Sequence, residues 1–269
     1  MSFYTSLNGL KNAQTDLGVI AHNIANVETN GFKKGRTEFA DIVVASASSN
    51  PRMIQGLGSR VEAISQNFSL GPIEQTGAAL DVAIGGDGFF TMRSPDDSTI
   101  YTRNGSFGID GDGFIHDGSQ NRLQVFPTDA TGAVTSTTPA DAQVPATNAA
   151  GAEFAGISVA ENGQVIATYA DGGQSFVGTV ALASFIAPTG LKQLGSSNWE
   201  STVLSGPASY GIPSEGANGS LMSGALERSN VDIAEELVSL ITAQRNFQAN
   251  AKAIDTSTQA TQAIMNLRS

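Results

Sequence analysis

The sequence predicts an α+β protein, with long N- and C-terminal helices paired as a coiled coil and a central, mostly antiparallel β domain between them. Three observations carry this. Apolar residues recur in alternating steps of four and three at both ends of the chain, which is helical spacing. Between the ends the period falls to two and Gly, Asn and Asp turn signals come often. The terminal segments also carry few charges on any face, unlike ordinary solvated helices.

The first helix is expected within residues 1–28. Its series Phe3, Leu7, Leu10, Gln14, Leu17, Ala21, Ile24 keeps one stripe toward a partner. Thr29, Asn30 and Gly31 then stop it, Gly31 being suited to the left-handed conformation that commonly ends helices. Residues 29–70 read as an extended, interlocking linker. Short apolar pieces, Phe39 to Val44 and Val61 to Phe68, flank a Ser, Asn, Pro and Gly segment around Ser46 to Gly58, and the buried face of the second piece stays open.

Residues 71–229 form the β-rich middle. Leu80 to Ile84 and Gly88 to Met92 read as strands around Gly85, Gly86 and Asp87, and Asn104-Gly105 reads as a hairpin dipeptide between Tyr101-Thr102 and Phe107 to Ile109. Asp110 to Gly113, Asn162-Gly163 and Asp171 to Gly173 are further turns, the last leading into the long apolar run Phe176 to Phe185. Residues 128–152, rich in Thr, Ala and Pro, read as a loop or a reduced insertion. The last helix lies within 230–269. From about Val231 to Leu267 it would be roughly 55 Å long at 1.5 Å per residue.

That helix repeats the stripe with Ile233, Leu237, Leu240, Gln244, Phe247, Ala251, Ile254, Thr258, Thr261 and Met265, widened by Ala234, Val238 and Ile241. Its other faces matter more. From Leu237 to Leu267 the only charges are Arg245, Lys252 and Asp255, set among Gln, Asn, Ser, Thr and Ala, a surface that is polar yet cheap to desolvate. The termini are therefore expected to pack against copies of the same chain, through Leu7, Leu10, Leu17 and Ile24 on the first helix and Leu237, Leu240, Gln244, Phe247 and Ile254 on the last.

Composition narrows the rest. At 269 residues, with 40% hydrophobic and 14% charged residues, the chain can bury a real core and is neither a disordered acidic tail nor a membrane protein. A net charge of −11 with scattered Lys and Arg argues against nucleic acid, and the short basic run Lys33, Lys34, Arg36 reads as a solvated turn. The absence of cysteine removes disulfides and thiol nucleophiles. No basic region followed by an apolar one opens the chain, so a cleaved secretory leader is not expected.

Catalytic signals are weak. His22 falls within a helix and His116 beside a Gly-rich turn, far apart in sequence. Asp110, Asp112 and Gly113 fit a tight turn better than a calcium loop, and Gly85, Gly86 and Gly88 do not complete a dinucleotide fingerprint. Neither an enzyme activity nor a metal or organic cofactor is expected.

At HNIANVETNGFKK, residues 22–34, the chain closely resembles the N-terminal signature of the bacterial flagellar rod and hook axial proteins, carried here by Asn23, Ala25, Asn26, Thr29, Gly31, Phe32 and Lys33. DVAIGGDGFF (81–90), YTRNGSFGIDGDGF (101–114) and SNVDIAEELVSLITAQRNFQANAKAI (229–254) agree with the family in order and spacing. The resemblance implies an inner coiled-coil tube around an export channel with β domains outside, and helical polymerisation without nucleotide or metal. It also implies export by the flagellar type III apparatus. Partners would then be the chain itself and other axial proteins such as the distal rod, hook cap and hook–filament junction subunits, without nucleic acid and without membrane insertion. Met1-Ser2-Phe3, residues 244–254 and Asn266-Leu267-Arg268 are most similar to the hook subunit. A short hook protein, the flexible coupling that transmits torque, is the expectation, with a distal rod protein of the basal body as the alternative.

Overall fold

The computed structural model describes residues 2–43, 56–216 and 218–266. They fall into two compact units. One comprises Met1–Val27, Lys34–Asn67 and Val231–Ser269; the other comprises Glu28–Lys33 and Phe68–Asn230.

The first unit contains helix α1 (Ser2–Ala25), strands β1 (Gly35–Val43) and β2 (Gly56–Gln66), and helix α2 (Ile233–Asn266). The two helices pack against each other, so closely at Gly9 that a Cβ there would overlap the Asn250 side chain. Helix α2 begins where Asp232 Oδ1 accepts the N–H groups of Ala234 at 2.8 Å and Glu235 at 3.1 Å, satisfying two amides that lack intrahelical partners. Glu235 and Glu236 place further negative charge in the first turn, where the helix dipole favours it. At the end of α1, both the backbone N–H and the side-chain amide of Asn26 donate to the His22 carbonyl.

Strands β1 and β2 form an antiparallel hairpin running from Gly35 opposite Gln66 to Val43 opposite Gly56, with register shifts after Glu38 and Ile42. Most of the described residues in the stretch read as an extended linker are thus regular sheet. The alternation gave no clear reading because only Thr37 is buried along β1, and a strand with two wet faces has no apolar side to detect. Residues 44–55, most of the Ser46 to Gly58 segment, lie outside the described residues, as do Met1, Leu267 and Arg268.

Among the described residues, the second unit is built from seventeen short strands. In order they are β3 (Ile73–Gln75), β4 (Val82–Gly85), β5 (Phe89–Arg93), β6 (Thr99–Thr102), β7 (Gly108–Ile109), β8 (Ile115–His116), β9 (Arg122–Phe126), β10 (Ala140–Asp141), β11 (Phe154–Val159), β12 (Gln164–Tyr169), β13 (Gln174–Val180), β14 (Leu182–Ser184), β15 (Lys192–Gly195), β16 (Asn198–Glu200), β17 (Ser209–Gly211), β18 (Ser220–Ser223) and β19 (Ala225–Glu227). The main sheet runs β11-β12-β13-β9-β5-β6-β16-β15, and all ladders are antiparallel. One core gathers Ile84, Phe90, Met92, Ile115, Leu123, Val165, Tyr169 and Leu182. A smaller one sets Phe89 and Trp199 edge-to-face, with Phe68 against both.

Several readings change here. Asn104-Gly105 does not close a hairpin: β6 pairs with β5 and β16, β7 pairs with β8, and a Cβ on Gly105 would overlap the Val82 carbonyl. Gly105 serves close approach to the Val82 backbone and not a turn. The run Phe176 to Phe185 is split at Ala181, whose N–H bonds to the Gln124 carbonyl. Residues 128–152 are woven into the sheet, with Ala142 and Val144 buried in the main core.

Gly31 has φ +67°, as expected, yet it lies six residues beyond α1 and does not cap it. Its N–H donates to the Glu227 carbonyl at 2.8 Å, and a Cβ would come 2.5 Å from the Asn104 nitrogen. Gly31→Ala should therefore cost more than Gly77→Ala, where φ is +75° but nothing lies within 4 Å. We expect about 1–2 kcal/mol at Gly77 from the left-handed backbone alone and at least about 2 kcal/mol more at Gly31, read as the shift in urea midpoint.

Candidate assembly interface

Helix α2 presents two apolar surfaces. Ala243 is buried, and Leu240, Phe247, Asn250 and Ile254 are half-buried on the same side, where Asn250 meets Gly9. Roughly 60–160° around the axis, at 100° per residue, Ile233, Leu237, Val238 and Ile241 are between 45% and 66% exposed. Four large aliphatic side chains on three adjacent turns cannot be left to water cheaply, because each gains about 1.5–3 kcal/mol on full burial. On α1, Leu7, Leu10, Leu17 and Ile24 are half-buried, whereas Phe3 and Tyr4 are exposed. The stripe Leu237, Leu240, Gln244, Phe247, Ile254 therefore divides. Leu237 and Gln244 belong to the exposed side and the other three to the packed side.

Several polar side chains of α2 are bonded within the helix. Hydroxyls of Thr242, Thr256, Thr258 and Thr261 donate to carbonyls four residues earlier, and the Asn250 amide donates to Asn246. A donor bonded inside its own helix loses little when a neighbour excludes water. These hydroxyls can be covered by a protein partner without being left unpaired.

The signature residues have structural roles inside the subunit. Asn23 is buried at the end of α1 and clamps the backbone of Gly35, accepting its N–H and donating to its carbonyl, both at 2.9 Å; its amide also reaches Glu236 at 3.1 Å. Glu236 in turn pairs with Lys34 at 2.8 Å. Burial works against the Lys34 charge, but hydrogen bonds to Glu236 and Glu235 outweigh it and hold the ammonium above the ordinary lysine range. Ala25 is exposed, Asn26 closes the helix, and the Thr29 carbonyl accepts the N–H of buried Phe32.

Within the second unit, the Lys33 and Glu227 side chains are both fully buried and meet at 2.5 Å. Lys33 Nζ also donates to the Ser69 carbonyl, and the same Glu227 oxygen accepts the Gly71 N–H. Arg103 Nη1 lies 3.3 Å from the other Glu227 oxygen and donates to the Gly86 carbonyl, with its guanidinium over the Phe89 ring. Burial pushes the Lys33 ammonium below its usual range, Glu227 opposes that fall, and Arg103 adds to it. The basic run is thus no solvated turn: Lys33 is a core residue, and Lys34 is tied to α2. Glu227, Arg103 and Glu236 escaped the sequence reading, although buried charges in a chain so poor in them are a usable signal.

Glu227→Leu would strand two buried cations and should cost about 3–5 kcal/mol. Lys33→Met leaves Glu227 with Arg103 and should cost about 1–3 kcal/mol. Urea denaturation of both variants checks that order.

Comparison with known proteins places this geometry. Residues 3–33 match the family described as flagella basal body rod protein, residues 83–167 the flagellar hook protein FlgE/F/G D1 domain, and residues 222–267 the flagellar basal body rod FlgEFG protein C-terminal region. The chain is 37% identical to the flagellar basal-body rod protein FlgG of Bacillus subtilis over 279 positions, covering 99% of this chain and 98% of that one. It is 32% identical to FlgG of Borreliella burgdorferi, covering 95% and 94%. Against the flagellar hook protein FlgE of Escherichia coli identity is 26% over 409 positions, with both chains fully covered, so the hook relative carries a large insertion relative to these 269 residues. Its matched segments include both signature ends and the β region, and its relatives are structural proteins and not enzymes. This chain belongs to the flagellar rod and hook protein family, the axial structural proteins of the bacterial flagellum.

Proposed function

We propose that the chain is a subunit of the distal rod of the flagellar basal body, polymerising as a helical tube. One observation carries the choice of rod over hook, the reading the sequence alone favoured: the rod relatives align end to end at similar length, whereas the hook relative needs a large insertion. Residues 1–28 and 230–269 would form the inner coiled-coil layer, 29–70 would interlock neighbours, and 71–229 would face outward. The exposed row Ile233, Leu237, Val238 and Ile241 supplies the surface that sister helices cover. Export through the type III apparatus and contact with adjoining axial proteins complete the proposal.

The assembly face has a clean test. Leu237→Asp combined with Ile241→Asp places carboxylates on half-exposed side chains, so the monomer should lose no more than about 1–2 kcal/mol, from helix propensity and the like-charge i,i+4 pair. Burying those charges between helices would cost several kcal/mol each. Seeded polymerisation, followed by electron microscopy, should fail for this variant and succeed for the parent chain; normal polymers from the variant would discard the face. Rod and hook separate by deletion. A strain lacking the chain should yield basal bodies without a distal rod, while complete rods lacking hooks would restore the hook reading.

A further inference from the structure

Three of the most exposed aliphatic side chains in the described residues lie in the second unit: Val203 at 100%, Ile186 at 93% and Leu204 at 81%. They do not sit on a slack loop. Thr202 Oγ1 donates to the Gly190 carbonyl at 2.6 Å and accepts the N–H groups of Leu204 and Ser205. The Ser205 hydroxyl, almost fully buried, donates to the Thr202 carbonyl, and the Ala187 N–H reaches the Ser205 carbonyl. A Cβ on Gly190 would press on the Leu204 backbone at 2.6 Å. The two loops are laced together with polar groups inward and aliphatic groups outward. That inversion costs free energy in an isolated subunit.

The same unit holds a matching depression. Ile109, Val144, Pro145, Ala146 and Phe154 line a cavity of about 380 Å³, with Asp110, Thr147 and Glu153 on the same walls, within the roughly 300–1,000 Å³ range of small-ligand pockets. Its walls are fixed: the Tyr169 hydroxyl bonds to the Pro145 carbonyl at 3.1 Å, Phe154 stands edge-on to Tyr169, and the Phe154 N–H bonds to Ala146. The protruding loops flank β15 and β16, at one end of the main sheet order. The cavity adjoins the start of β11, at the other end. Knob and socket on one chain therefore cannot meet each other.

We infer that Ile186, Val203 and Leu204 of one subunit seat in the Phe154 cavity of a second copy of this chain. The inference rests on the polymer reading above and adds the contact that links the β units. Two different surfaces joined head to tail give a heterologous contact, and when the rotation between copies does not close, such a contact propagates as an open helix. The occupant follows from the chain itself, which carries at opposite ends of one sheet both the aliphatic projection and a hollow with an aliphatic and aromatic wall, beside the carboxylates of Asp110 and Glu153.

The chain contains no cysteine, so cross-linking reports this contact directly. Leu204→Cys with Ala146→Cys, treated with a short bis-maleimide after assembly, should give a ladder of dimers, trimers and longer species, and only monomer at a concentration too low to polymerise. Mixed polymers of the two single-cysteine chains should stop at dimers. Independently, Val203→Asp with Leu204→Asp should raise the concentration needed for polymerisation at least about tenfold, the equivalent of about 1.4 kcal/mol. Polymers that form but give no ladder would overturn the contact and leave the polymer reading standing. A link closing within the monomer would overturn it too. Failure of the parent chain to polymerise under any seeding would overturn the polymer reading and this contact with it.

Discussion

A fully buried carboxylate, Glu227, organises the second unit. Its two oxygens serve Lys33, Arg103 and the Gly71 amide, which come from three widely separated segments, and its own carbonyl accepts the Gly31 N–H. Arg228, next in the chain, pairs with Glu28 and Glu74. Entry into and exit from the β unit are thereby stitched together, at Glu227 by charges that solvent cannot screen and at Arg228 by pairs that solvent reaches. Such a cluster is costly to desolvate and contributes little net stability against an apolar substitute. It does penalise every arrangement in which the ends fail to meet, because any one group left alone is a buried unpaired charge.

The first unit repeats the device with lower stakes. Asn23 from α1, Gly35 and Lys34 from the start of the hairpin, and Glu236 from the start of α2 form one hydrogen-bonded chain. A sequence with only 14% charged residues spends several of them where its N- and C-terminal segments join. The adjacent lysines of the signature divide this labour, Lys33 within one unit and Lys34 within the other. An arginine fork would not fit either compact ammonium position in the same way.

What the subunit does not satisfy is as informative as what it does. Threonine hydroxyls on α2 are bonded within the helix, while the aliphatic row from Ile233 to Ile241 and the loop residues Ile186, Val203 and Leu204 stay in water. Unpaired polar groups would resist burial and bare aliphatic ones favour it. Surfaces of this kind are stable alone and more stable covered.

Periodicity alone determined the two helices, the antiparallel middle and the turns at Asn162-Gly163, Asp171 to Gly173 and Asp110 to Gly113, because backbone preference and one-sided burial are local properties written in spacing. The signature residues placed the chain in its family without disclosing what they touch. Only the tertiary structure decided that Lys33 is buried, that Gly31 and Gly105 make room for backbone instead of turning it, and that the stripe on α2 splits between its own partner helix and bare solvent. Those outcomes depend on which distant segment arrives opposite a residue. No short-range pattern encodes the neighbour across a fold whose decisive contacts join residues 23–34 to residues 227–236.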